Sequence, residues 1–433
     1  MKRIPTRWII LFLLCLLYFI TYIDRVNLGT AAPMIRDEFK MSNTTLGIIF
    51  SAFAYPYAIF QIFGGRLADK FGAHKVLFTC CLITSLATIL MGFATGVVSL
   101  FLSRLMLGVG EGATFPSATR AMQDWIPAGR RGLAQGLTHS FSRLGNSITP
   151  PLVACIMLFG GWRSAFYAMG AISLLWVIVW LVYFRDNPRD HKRVTAEELA
   201  LLPNYADTVK QAKRKVPWSR LIRRMLPVTM TYFCYGWSLW LFLNWLPSFF
   251  LSGYGLDIKN SAIFSAGVFF SGVIGDALGG VLSDSIQHRT HNVKLARLSV
   301  AVVAFLGAAL FLILAIQARD VAMLAALLSI GFFFLELNIG PLWSVPMDIA
   351  PQYAGAAAGM MNTGMAVAGI ISPMVFGKLI DLFGDWYWPF MISVSLLVLG
   401  AILCFTMHPE RRFIDTPESK TKVSVDQEAC THA

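Results

Sequence analysis

The sequence has little charge and little of the chemistry that catalysis needs. Asp, Glu, Lys and Arg make up 14% of its 433 residues, against 56% hydrophobic. A water-soluble chain of this length cannot bury that much apolar side chain, so the composition points to a protein that faces lipid. There is no HExxH. The seven histidines, His74, His139, His191, His288, His291, His408 and His432, do not gather on one membrane face, and a packed neutral ring is the reading for His139. An enzyme embedded in the membrane would need such a cluster or a cofactor motif, so the chain reads as no enzyme and as needing no metal or cofactor. The seven cysteines, Cys15, Cys80, Cys81, Cys155, Cys234, Cys404 and Cys430, contain no CxxC. Most fall in apolar runs and read as small buried hydrophobes rather than disulfide partners or zinc ligands. The stretch "GVGEGA" lacks the Gly-x-Gly-x-x-Gly spacing and lies in an apolar run, which excludes a nucleotide loop and leaves close helix packing.

What the chain has is apolar runs, and each crossing of a bilayer takes about 20 such residues. They recur near 8–30, 45–66, 76–96, 98–120, 132–155, 162–184, 226–250, 261–283, 297–316, 321–345, 354–377 and 386–407. The first is no cleaved signal, because Asp24, Arg25 and Asn27 follow its core in place of a small-residue cleavage site. The net charge of +12 could suggest nucleic acid, but its placement argues for lipid headgroups. Lys2, Arg3 and Arg7 precede the first run. Basic residues follow the even-numbered runs, most densely between Arg185 and Arg224. By the positive-inside rule both termini are cytoplasmic. The expected fold class is an all-α membrane protein, with twelve transmembrane helices in two pseudo-symmetric six-helix bundles. Residues 1–184 form the first bundle and 226–410 the second. Residues 185–225 are a basic cytoplasmic linker, partly helical at "TAEELALL", and 411–433 a cytoplasmic tail.

The halves echo one another. "GGRLADKFGAHKV" follows the second run and "GGVLSDSIQHR" the eighth, both reading Gly-Gly-x-Leu-x-Asp. Glycine permits close helix approach, and an Asp at a helix end can cap or pair across the loop. Gly65, Asp69, Gly72 and Lys75, with Asp284 in the second half, resemble the signature loop of the major facilitator superfamily. That resemblance covers nearly the whole chain. It implies two bundles that rock about a central site in alternating access, and a monomer.

Charges inside the runs need a reason, since one at the bilayer centre costs about 2.5–3.5 kcal/mol on insertion scales. The first half holds Asp24, Arg25, Arg104, Glu111 and Arg143. At about 1.5 Å of rise per residue they fall into two tiers. Asp24 would pair with Arg104 towards the outside, and Glu111 with Arg143 or Arg104 near the midplane. A static ion-pair network is one reading. The other is a machine: a glutamate held out of water takes and releases a proton, and frees its arginine for an anionic substrate.

"YIDRVNL" and "RLMLGVGEGATFPS" together resemble the anion:cation symporter branch of that superfamily, which includes bacterial sugar-acid carriers of the galactonate, glucarate and hexuronate type. The resemblance implies proton coupling at Asp24 and Glu111, a substrate carboxylate at Arg25 with Tyr22 beside it, Arg104 as partner of the acids, and Tyr57 and Asn362 lining the cavity. Where sugar-acid carriers often have a glutamine on the fifth helix, this chain reads Ser142-Arg143, which puts the substrate's polar contacts in question. An added arginine suits a second carboxylate, or partners Glu111. In the seventh run Tyr232, Tyr235, Trp237 and Trp240 read first as lipid or interface anchors. Tyr235 and Asn244 are candidates for substrate hydroxyls. Glu336 is either a further proton site or a packing partner, and Asn338 and Thr363 lie near it in depth.

The expectation is a proton-coupled symporter of a small organic anion, most simply a sugar acid (aldonate, uronate or aldarate). The alternatives are an aromatic acid or dicarboxylate, or an anion exchanger or channel without proton coupling. The expected partners are that anion, H+ and the bilayer, with no nucleic acid. Short loops favour a bacterial inner membrane, although Asn43-Thr-Thr would be a glycosylation sequon in a eukaryote.

Overall fold

Helix ends and breaks in this chain follow its prolines and its capping residues. The computed structural model describes residues 4–127, 130–203, 205 and 216–413. Lys2, Arg3, Lys213, Arg214, Lys215, Cys430, His432 and the rest of the 414–433 tail lie outside the described residues, as do the side chains of Gly65 and Asp69.

Twelve passes account for the fold. They are α1 (Thr6–Phe39), α2 (Asn43–Ala52, resuming as Ala54–Phe71), α3 (Ala73–Gly92), α4 (Val97–Gly112, resuming as Thr114–Trp125), α5 (131–160), α6 (162–183) and α7 (Trp218–Ser248, running on through Phe249–Gly253). The second half continues with α8 (Ile258–Thr290), α9 (Val293–Gln317), α10 (Val321–Leu337, resuming as Ile339–Ile349), α11 (Ala354–Phe383) and α12 (Tyr387–Cys404). Only Gly161, at φ +72, divides α5 from α6, a backbone turn that glycine adopts without steric cost. Ser42, Asp257, Asn292 and Asp320 each accept a hydrogen bond from the backbone N–H three residues on, which starts α2, α8, α9 and α10. Leu102, Ile178, Val303 and Ile402 are exposed on the outside of the bundle, as a lipid-facing surface requires.

Three helices break in mid-membrane, and each break has a proline four residues later. Ala52 precedes Pro56, Gly112 precedes Pro116, and Leu337 precedes Pro341. A proline removes the N–H that would bond the carbonyl four residues back, and its ring crowds that carbonyl. In α4 and α10, which occupy equivalent places in the two halves, the arms are 16 and 12 residues and 17 and 11 residues long.

The halves meet along α1 and α7, α2 and α11, and α5 and α8. Glycine brings them together: a Cβ on Gly29 would lie 2.7 Å from the Leu243 carbonyl oxygen. One on Gly47 would collide with the Pro373 carbonyl, and one on Gly377 with that of Asn43. One face of the bundle carries the start of α1, residues 184–203 and the end of α12, and is the linker face. The expected helix in the linker is present as Ala196–Leu201, capped by Thr195. Its Glu198 accepts from the backbone N–H groups of Thr6 and Arg7 at 3.1 and 2.8 Å, which ties the linker to the start of α1.

At the far face, Asp381 of α11 accepts four hydrogen bonds from the first residues of α2. The donors are the backbone N–H and side-chain amide of Asn43, and the backbone N–H and hydroxyl of Thr44, at 2.6 to 3.0 Å. The sequon asparagine is thus a structural residue, its oxygen also held by Arg36 at 3.1 Å. This contact joins the halves at the far face. Asp381→Ala is expected to favour far-face opening by about 1 kcal/mol, roughly fivefold in population. Spin labels at Ser42 and Asp385 in a cysteine-free chain should report a larger long-distance fraction. An unchanged distance distribution would show that the latch contributes nothing.

Candidate functional site

The broken helices deliver the charged residues to the centre of the bundle. Helix α1 has 34 residues and continues through Pro33 to Phe39, so Arg25 sits about 28 Å from its start, near its middle. Glu111 is the penultimate residue of the first arm of α4, beside the break. The two meet there: Arg25 Nε donates to Glu111 Oε2 at 2.5 Å, with both side chains about 1% exposed. Four rings surround the guanidinium, those of Tyr22, Phe53, Tyr57 and Phe115, with centroids 4.8 to 5.2 Å from its carbon. A cation over aromatic faces is stabilised by their quadrupoles without being neutralised. Arg25 Nη2 and Glu111 Oε1 have no hydrogen-bond partner, so the pair keeps a free donor and a free acceptor.

The expected pairing differs in each particular. Asp24 does not reach Arg104; its Oδ2 accepts from Ser173 of α6 at 3.0 Å and its Oδ1 is unpartnered. Arg104 is fully buried with none of its three nitrogens hydrogen-bonded, lying over the Phe53 ring at 5.1 Å. Glu111 takes Arg25 rather than Arg143 or Arg104. The cause is the length of α1: because it runs about two turns past its predicted end, Arg25 stands level with Glu111 instead of above it.

Arg143 turns across the midline. Its Nη2 lies 3.0 Å from Glu336 Oε2 of α10 and its Nε 3.4 Å from Asp276 Oδ2 of α8. Tyr235 donates to the same Glu336 oxygen at 3.2 Å. Glu336 is the penultimate residue of the first arm of α10, the place that Glu111 holds in α4. The sequence carries this repeat as Glu-x-x-x-x-Pro at 111–116 and 336–341, a signal the sequence reading missed. Asp276, Ser173, Phe53 and Phe115 were also missed. Nothing marks them in the sequence beyond one charge, one hydroxyl and two rings in apolar runs.

The remaining candidates divide. Asn362 Nδ2 approaches the Tyr57 hydroxyl at 3.4 Å, joining α11 to α2. Asn244 is buried with neither side-chain polar atom partnered. Ser142 is buried but donates to the carbonyl of His139 in its own helix. Tyr232, Tyr235, Trp237 and Trp240 are all buried between helices rather than facing lipid, which corrects their reading as anchors. Trp240 donates to the Met365 carbonyl. His139 is packed, its ring between Tyr18 and Trp343. In the signature loop Gly72 adopts φ +85, and a Cβ there would strike the Asp186 carboxylate. Asp284 pairs with Arg297 across the α8–α9 turn at 2.9 Å, and Arg297 also bonds Asp348 of α10. Lys75 is exposed. Among the described residues no group of three His, Cys, Asp or Glu is placed to hold a metal ion.

The family model of the Major Facilitator Superfamily matches residues 14–373. The chain belongs to that superfamily. It is similar to a Cupriavidus necator protein named as a probable sulfoacetate transporter, with 50% identity over 420 residues and 97% of each chain covered. It is also similar to the hexuronate transporter of Bacillus subtilis, at 30% identity over 88% of this chain and 90% of the relative. Its fold matches a crystal structure of a bacterial homologue of the human lysosomal transporter Spinster, inward-facing and unoccupied. The TM-score is 0.72 at 18% identity, over 96% of this chain and 100% of the other. The protein is a multi-pass membrane protein with the transporter fold of that superfamily.

Arg25→Lys keeps the charge but loses the planar fork and its fit among four rings. Anion binding is expected to weaken by about 10- to 100-fold with the melting temperature little changed. The apparent affinity in uptake, read beside a thermal melt, checks it.

Proposed function

We propose that this protein is a proton-coupled importer of a small organic anion, and that its substrate is a short molecule with two acidic groups, of the sulfoacetate kind. The observation that carries the reading is the Arg25–Glu111 pair, buried in an aromatic box beside a helix break. A carboxylate that accepts a proton loses its hold on the guanidinium, and Arg25 is then free to bind a substrate carboxylate through two parallel hydrogen bonds. Losing the substrate returns Arg25 to Glu111 and expels the proton. Asp24, with one free oxygen next door, is the second proton carrier. Arg104, a buried cation without an acceptor, keeps the site positive while the pair is open. Tyr22 and Tyr57 hold Arg25 in place, and Asn244 and Asn362 offer amides from the second half.

The 50% full-length identity to a relative named for sulfoacetate favours the short doubly charged substrate. A sugar acid is the second reading, supported by the hexuronate relative and by Asn244, Asn362 and Tyr235, groups suited to hydroxyls. It agrees with the anion:cation symporter branch that the two motifs resemble. In either case the bundles 1–184 and 226–410 rock about the linker 185–225. Gly65, Asp69, Gly72, Lys75 and Asp284 serve as the turning loops of the linker face. The basic linker supports reading that face as cytoplasmic in a bacterium, with both termini inside, and the carrier is read as a monomer.

In proteoliposomes with an inward pH gradient, wild type is expected to accumulate sulfoacetate above equilibrium, and a protonophore should abolish the accumulation. Glu111→Gln should lose uphill uptake by at least roughly tenfold while still exchanging anion across the membrane. Uptake of a hexuronate, aromatic acid or dicarboxylate alone would replace the substrate and keep the mechanism. Gradient-independent conduction in Glu111→Gln would make the protein a channel and end the symport reading.

A further inference from the structure

We infer that Arg143 reads the second acidic group of the substrate, and that Glu336 and Asp276 of the opposite half stand in for that group while the site is empty. The inference rests on the reading of a small organic anion at Arg25 and names the residue that would demand two charges.

Arg143 belongs to α5 of the first half, and both of its acid partners belong to the second. It is 3% exposed, and its Nη1 has no partner, so the planar fork is only partly used. Glu336 Oε1 is likewise unpartnered, and the contact to Asp276, at 3.4 Å, is long for a charge-assisted hydrogen bond. An arginine held this loosely by two acids has capacity for a better-shaped acceptor.

The spacing sets a ceiling on the length of a dianion that could bridge the two arginines. The guanidinium carbons of Arg25 and Arg143 lie 4.9 and 5.7 Å from the centroid of the Tyr22 ring. They can therefore be no further apart than those two distances together, about 11 Å. In a two-point arginine–acid pair the guanidinium carbon and the acid's central atom are about 4 Å apart. The carboxyl carbon and sulfur of sulfoacetate are separated by one methylene, about 3 Å. Two such pairs and that methylene span about 11 Å. A uronate has one acid and leaves Arg143 unanswered. An extended six-carbon aldarate overshoots.

The exchange has a mechanical consequence. While Glu336 and Asp276 hold Arg143, an ion contact ties α5 to α8 and α10 across the interface, alongside the hydrogen bond from Ser147 to the Ala266 carbonyl. A substrate acid that takes Arg143 substitutes for the tie from within the first half and leaves the second half free to move. A singly charged anion at Arg25 alone leaves the tie intact. Recognition of two charges and release of the halves are then one event.

The test uses the purified full chain, with wild type, Arg143→Gln, Arg143→Lys and Glu336→Gln titrated with sulfoacetate and with glucuronate by calorimetry. Arg143→Gln is expected to weaken sulfoacetate by about tenfold or more while changing glucuronate less than about twofold. Arg143→Lys should fall between. Glu336→Gln removes a competitor and should tighten sulfoacetate by several-fold, an opposite sign that a purely structural role for the pair would not produce. If Arg143→Gln fails to fold, Glu336→Gln decides. Equal weakening of both anions by Arg143→Gln, or weaker sulfoacetate binding in Glu336→Gln, overturns the inference. Wild type that accumulates glucuronate on a pH gradient but does not bind sulfoacetate overturns it alone and leaves proton symport standing. Wild type that accumulates neither overturns both.

Discussion

A charge buried within a bilayer must find an opposite charge or an aqueous cavity, and the rest of this structure is arranged around that requirement. Arg25, Arg104, Arg143, Glu111, Glu336 and Asp24 are all within a few per cent of full burial. Breaking a buried pair by removing one partner costs about 3–5 kcal/mol because a buried charge is left uncompensated, a cost that is reduced when the arginine takes another acid and the displaced acid is protonated. That difference makes the pairs suitable as switches. Arg25–Glu111 within the first half and Arg143–Glu336 across the halves are the same device built twice, each with its acid one residue inside a proline-induced break.

The breaks have a physical reason to lie where the charges lie. A helix interrupted in mid-membrane frees backbone groups that lipid cannot satisfy, so such interruptions are tolerated only where protein or a cavity covers them. Pro56, Pro116 and Pro341 each follow one of them, and Phe53, Glu111 and Asn338 stand at or beside the three breaks. Glycines do the complementary work at the interface between the halves. Gly29, Gly47 and Gly377 let backbone meet backbone with no side chain between, so these surfaces fit closely when together and have few interlocking side chains to resist parting.

The number of passes was legible because length and hydropathy decide it, and the charges inside the apolar runs were legible as residues that had to be buried or paired. Their partners were not. Pairing depends on how far each helix extends beyond its apolar run, and polar ends hide that extension. Residues 31–39 of α1 contain Pro33, Arg36, Asp37 and Glu38, yet the helix passes through them. That two-turn error in the end of one helix moved Arg25 from one tier to the next. Asp276 shows the other limit. A lone acid in a glycine-rich run reads as a loop residue or a packing defect until the facing arginine is known, and that arginine comes from the other half of the chain. The aromatic residues of α7 misled for a related reason, since a ring at a membrane interface and a ring at a protein interface have the same composition.

The two arginine–glutamate pairs differ in one respect that bears on coupling. A ligand shifts a conformational equilibrium only by its difference in affinity between the two states. Arg25 and Glu111 both belong to the first half, so under the proposed rocking of the bundles exchanging their partners changes charge and protonation without favouring a tilt. The Arg143 cluster joins the two halves and cannot keep its geometry through a rocking motion, so exchanging its partners does favour one. On the proposed reading the proton and the first substrate acid act on Arg25–Glu111 and set which ion occupies the site. The second substrate acid acts on the Arg143 cluster and alters the balance between the two orientations of the carrier.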